Sequence, residues 1–107
     1  GDGKFYYVIP PALNGMNLVG VHGRVITAGI TGTMDVQIRN VTDSVDILST
    51  KLTWDSTEVG TDTAATPYVI DTTKDDVASY DVLAVYVDAV QTTKAKGMII
   101  TLWFQLP

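Results

Sequence analysis

The sequence predicts an all-β protein: an antiparallel β-sandwich, jelly-roll-like, with about seven or eight strands and no significant helix. Three observations carry that prediction. Threonine, valine and isoleucine supply 37 of the 107 residues, and β-branched side chains suit a pleated strand better than a helix. Glutamate, a favoured helix residue, occurs once. Short apolar runs recur between clusters of Gly, Pro, Asn, Asp and Thr at the spacing of a sandwich.

Each element follows from its residues. Residues 4–9 form an aromatic and β-branched run that Pro10 and Pro11 terminate, because neither proline can donate to a ladder, so an edge or entry strand is expected. Asn14-Gly15 turns the chain. Residues 17–28 carry Val19, Val21 and Val25, with Gly23 filling the missing step on that face. A long strand is expected there, bent or bulged at Gly20 or Gly23. Gly29-Ile30-Thr31-Gly32 has the length of a hairpin loop. The cleanest alternation follows, with Met34, Val36 and Ile38 set against Asp35, Gln37 and Arg39.

Residues 40–44 offer side-chain oxygens suited to a turn. In the run 45–54 the apolar parity changes near Ser49-Thr50, which predicts a bulge or a break into two short strands. Residues 55–66 are polar and threonine-rich, the longest loop. Residues 67–70 form a short strand, and 71–78 could make one capped helical turn. The strongest late strands are 81–90 and 97–106, expected to pair as a hairpin through 91–96. Leu83, Val85 and Val87 occupy one face of the first, and Met98, Ile100, Leu102, Phe104 and Leu106 one face of the second. The opposite faces carry Val82, Tyr86, Ile99 and Trp103, so both faces need cover, either from the amino-terminal segment or from another subunit.

Composition limits the function. The chain is one domain, residues 1–107, either whole or a module of a longer protein. It has no cysteine, which excludes disulfides and cysteine zinc sites. The formal net charge is −5, and the few bases are scattered, so nucleic acid is not an expected partner. No apolar run is long enough for a membrane helix, and membrane insertion is not expected.

The chemistry-bearing residues are few. His22 lies mid-strand on the parity of Leu18 and Ile26, and no serine sits in a nucleophile elbow, so a partly buried or interface histidine is expected and no catalytic residue or enzyme activity. Asp71, Asp75, Asp76 and Asp81 cluster around one loop and could offer hard oxygen ligands to calcium, but turn and cap roles explain them better, so no metal or other cofactor is expected. Trp54, Tyr68 and Tyr80 could stack on sugar rings, whereas Tyr86, Ile99, Trp103 and His22 are candidates for an oligomer interface.

Several phrases together carry a likeness: Ile9-Pro10-Pro11-Ala12-Leu13-Asn14-Gly15-Met16-Asn17-Leu18, Val36-Gln37-Ile38-Arg39-Asn40-Val41-Thr42-Asp43 and Asp46-Ile47-Leu48-Ser49-Thr50. Further ones are Val69-Ile70-Asp71-Thr72, Asp75-Asp76-Val77-Ala78, Val85-Tyr86-Val87-Asp88-Ala89-Val90 and Ala95-Lys96-Gly97-Met98-Ile99-Ile100. The chain resembles small β-sandwich modules of tailed-bacteriophage virion structural proteins, found in tails, fibres and head decorations. The resemblance implies a non-enzymatic virion component that forms a homo-oligomer, commonly a trimer, and contacts other virion proteins. Some such modules instead adhere to host-surface polysaccharide, and a carbohydrate-binding module is the alternative reading.

Overall fold

The computed structural model describes residues 4–107. The chain is all-β: β1 (Lys4–Val8), β2 (Asn17–Thr27), β3 (Met34–Asn40), β4 (Val45–Asp46), β5 (Leu48–Thr50), β6 (Leu52–Trp54), β7 (Val69–Ile70), β8 (Val82–Ala89) and β9 (Lys96–Gln105). Two short 3-10 turns, Pro11–Leu13 and Thr61–Thr63, are the helical elements among the described residues. The larger sheet runs β1-β8-β3, and the far edge of β3 is shared between β4 and β6. β2 and β9 form a long two-stranded ribbon, and β5 pairs with β7. All pairings are antiparallel.

The two layers share one core. Val36 and Ile38 of β3 and Leu83 and Val85 of β8 pack with Leu18, Val21 and Val25 of β2, around a fully buried Trp54. Alternation explains these faces, since residues two apart on a strand point the same way. The bulge on β2 falls between Leu18 and Gly20, in register with Phe104 and Trp103. The extra residue, Val19, is therefore turned outward, and parity reverses after it. Leu18 faces the core before the bulge and Val21, Gly23 and Val25 face it afterwards, which puts His22 on the outer face and corrects its expected likeness to Leu18.

Among the described residues nine strands replace the expected seven or eight, because the run 45–54 splits into three. The split is held by Gln37: its Nε2 donates to Leu48 O at 2.9 Å, and its Oε1 accepts Leu48 N–H at 3.0 Å. The side-chain amide thus serves as a ladder partner where β5 peels away from β3 to join β7.

Two expected hairpins are corrected. β8 pairs with β1 and β3 whereas β9 pairs with β2, so residues 90–95 cross between layers. The loop 29–32 likewise joins β2 to β3, which lie in different sheets. Both corrections have one cause: each of these strands carries an apolar inner face, and crossing lets the two faces meet each other. The helical turn expected at 71–78 is absent among the described residues. Asp71 Oδ1 accepts Thr73 N–H at 3.0 Å and Thr73 Oγ1 at 2.6 Å, an Asx turn in its place.

Candidate interaction surface

The edges of the two layers are treated differently, and this difference defines the surface. Along β2, the Val21, Gly23 and Val25 amides, which point away from β9, are captured. Val21 N–H donates to Tyr68 Oη at 3.2 Å, Gly23 N–H to Thr61 Oγ1 at 3.1 Å and Val25 N–H to Val59 O at 2.8 Å. The long polar loop therefore acts as a cover for an edge, which its threonine-rich composition does not announce. Beyond β3 the far edge is broken into β4 and β6, and short strands make poor templates. The outer edges of β1 and β9 pair with no other strand among the described residues.

Between these two free edges the sandwich gapes. Phe5, Tyr7 and Val85 form one wall and Ile100, Leu102 and Phe104 the other, around an open cleft of about 420 Å³. Geometry explains the gap. The first layer is three to four strands wide, and a two-stranded ribbon spans only about half of that at ~4.8 Å per strand. β1 is left uncovered, and all five of its residues are exposed.

The outer face of the ribbon is the second apolar area. After the bulge, His22 and Arg24 of β2 lie opposite Thr101 and Ile99 of β9, and Gly20 lies opposite Trp103. Ile26 is 73% exposed, Ile99 52% and Trp103 45%. Three of the four residues proposed for an interface, His22, Ile99 and Trp103, thus share one face. Tyr86 does not join them. It lies on the outer face of the larger sheet, half-buried, with the Lys4 ammonium 5.4 Å from its ring centroid.

The other candidates are dispersed. Trp54 is fully buried, with its Nε1 donating to Val59 O at 3.2 Å, so it offers no sugar platform. Tyr68 is half-buried and engaged in capping β2. Tyr80 is 70% exposed and stands alone of the three. Trp54 is therefore corrected as a stacking platform, because burial of its large ring is worth more than exposure.

Of the four aspartates, Asp71 closes its own turn, and the hydrogen bonds to Thr73 hold its carboxyl below the usual range. Asp81 Oδ2 accepts Ala78 N–H at 3.0 Å and Asn40 Nδ2 at 3.2 Å. The same Asn40 amide donates to Asp43 Oδ2 at 3.2 Å. Desolvation, with the charges of Asp81 and Asp76, pushes the Asp43 carboxyl up. Among the described residues no three His or acidic side chains are grouped so as to hold a metal ion, and Asp71 and Asp81 act as acceptors within turns. None of the described helical elements is long and apolar enough to cross a membrane.

No family model, curated protein or solved structure matched the chain.

Proposed function

We propose that the chain is a non-enzymatic virion structural or decoration module of a bacteriophage, assembling as a homo-oligomer through the outer face of the β2–β9 ribbon. The observation that carries the assembly is the exposure of Ile26, Ile99 and Trp103 on one face around His22. Isolated apolar residues on a surface are ordinary, but three large apolar side chains exposed on one face of a single strand pair fit an interface. The virion context rests on the resemblance of the quoted phrases, which also implies a trimer.

Light scattering coupled to size exclusion tests the assembly. The wild type is expected to run as an oligomer at micromolar concentration, and Ile99→Lys as a smaller species with an unchanged far-ultraviolet circular dichroism spectrum. A wild-type monomer overturns the proposal. Neighbouring capsid or tail genes would support the virion context, and a neighbourhood without particle genes would remove it.

A further inference from the structure

A second contact lies at the free edge of β1. We infer that β1 pairs antiparallel with β1 of a second copy across a two-fold axis, extending the larger sheet through the dimer and joining the two open clefts into one shared core. The inference rests on the reading of the chain as an assembling module and adds a contact distinct from the ribbon face.

The direction of the backbone groups carries it first. Ile9 N–H donates to Asp81 O at 2.8 Å, and Ile9 O accepts Tyr80 N–H at 2.7 Å, so Ile9 directs both its groups toward the β8 side. Backbone groups alternate along a strand, hence Phe5 and Tyr7 also face β8. β8 agrees: Val82 O accepts Val41 N–H at 2.8 Å on the β3 side, which leaves Leu83 and Val85 to face Tyr7 and Phe5. Lys4, Tyr6 and Val8 therefore aim their N–H and C=O groups at the open edge.

Apart from Lys4 at its start, that edge lacks the usual protection. Between Lys4 and Pro10 it contains neither charge nor proline, and its pairing with β8 contains no bulge. Natural sheets blunt an exposed edge with such features, and an unblunted apolar one pairs with another strand. Among the described residues the free edge of β2 is covered and that of β3 is broken, so the open edges of β1 and β9 stand out.

The occupant follows from self-complementarity. An antiparallel register centred on Tyr6 sets Tyr6 against its own copy, Phe5 against the partner's Tyr7 and Lys4 against the partner's Val8, with the two Lys4 side chains at opposite ends. Isologous contacts need such a surface. Area is consistent as well. Phe5, Tyr6, Tyr7 and Val8 are 45%, 60%, 45% and 53% exposed. With ~200 Å² for each ring, these four residues offer on the order of 400 Å², about half of what one partner contributes to a standard interface. The cleft walls on β9 supply apolar area beyond this.

Tyr6→Pro isolates the contact, because the amide it removes points outward and makes no bond to β8. In light scattering, Tyr6→Pro and Tyr6→Lys are expected to halve the mass of the wild-type oligomer, while Tyr6→Phe leaves it unchanged. The near-ultraviolet circular dichroism of buried Trp54 should persist in all three. In hydrogen exchange, the Tyr6 and Val8 amides of the wild type should be protected at high protein concentration and lose protection on dilution. Open-amide exchange at Tyr6 and Val8 in the wild type overturns the inference, whatever the variants do. If Ile99→Lys lowers the mass and the Tyr6 variants do not, the edge contact falls and the assembling module stands. A wild-type monomer removes both, including one whose cleft accepts an oligosaccharide or an unrelated extended peptide.

Discussion

The indole of Trp103 lies across the backbone of Gly20, its directly paired residue on the adjacent strand: a methyl group built on Gly20 would fall 1.8 Å from Cε2 and 2.1 Å from Nε1. The bulge at Val19 makes this possible, since it brings Gly20 to the outer face opposite Trp103. An aromatic ring covering a cross-strand glycine shields backbone that would otherwise be open to water. Part of the most exposed large ring on the ribbon is thus held in place by the absence of a side chain across from it.

Gly20→Ala should therefore force the indole off its seat. An overpacked site of this kind costs about 1–3 kcal/mol, read as a lower midpoint in urea unfolding. In a Trp103→Ala background the same change should become neutral or stabilising by about 0.5–1 kcal/mol, because alanine is favoured over glycine in a strand once the clash is gone. A loss of the same size in both backgrounds would show that the contact does not set the cost.

Gly23 repeats the device on the inner face, where an added methyl group would lie 2.3 Å from Cη2 of Trp54. Here the ring is fully buried and cannot swing into solvent. Trp54→Ala should cost about 3–5 kcal/mol. Trp54→Phe should cost clearly less, since it keeps most of the ring volume and gives up one bond worth about 1 kcal/mol. Equal losses in thermal or urea unfolding for the two variants would argue against packing as the dominant contribution.

Much of this was legible in the residues. The β-branched composition marked the class, Pro10 and Pro11 ended β1, and the alternation of Met34, Val36 and Ile38 matched the inner face of β3. The parity change in 45–54 pointed to a break. What stayed hidden depended on long-range pairing. Nothing local says that β8 and β9 belong to different layers, because a hairpin and a crossing share the same polar connection. One bulged residue reversed the parity of His22. The apolar back face of β9 singled out Ile99 and Trp103, both of which are exposed, but it gave no sign of the groove residues Phe5 and Tyr7. Their signal was the unbroken aromatic run beside the two prolines, which pointed to an edge or entry strand without saying that the opposite layer is too narrow to cover it.

Gln37 is polar, sits in an alternating strand at an expected solvent position and is nevertheless buried. Its amide answers both the N–H and the C=O of Leu48. Gln37→Leu should leave those two buried groups without partners, at about 2–3 kcal/mol. Gln37→Glu should be worse at neutral pH, because a carboxylate opposes Leu48 O, and should recover part of the loss in acid as it regains a donor. A leucine variant as stable as the wild type in chemical denaturation would mean that water replaces both bonds.

Asp43 and Asp71 should respond to pH in opposite directions. Desolvation, then the charges of Asp81 and Asp76, raise the folded pKa of Asp43 above its ordinary 3.8. The folded state therefore holds that proton more tightly than the unfolded chain does. Its contribution is present below 3.8 and is lost as pH rises through the folded value, so the ionised group is a liability at neutral pH. Asp43→Asn, whose amide oxygen can still accept from Asn40, should raise the melting temperature at pH 7, with the gain vanishing in acid. The gain should be small, because the side chain is largely exposed and water screens it. Asp71 has the reverse sign: bonds from Thr73 lower its folded pKa, so its contribution is present above 3.8 and is lost as pH falls through the folded value. Thr73→Val should accordingly lower the melting temperature at pH 7 more than in strong acid. Differential scanning calorimetry across this range checks both, and a Thr73→Val deficit that grows on acidification would rule out the assignment of Asp71 as an ionised acceptor.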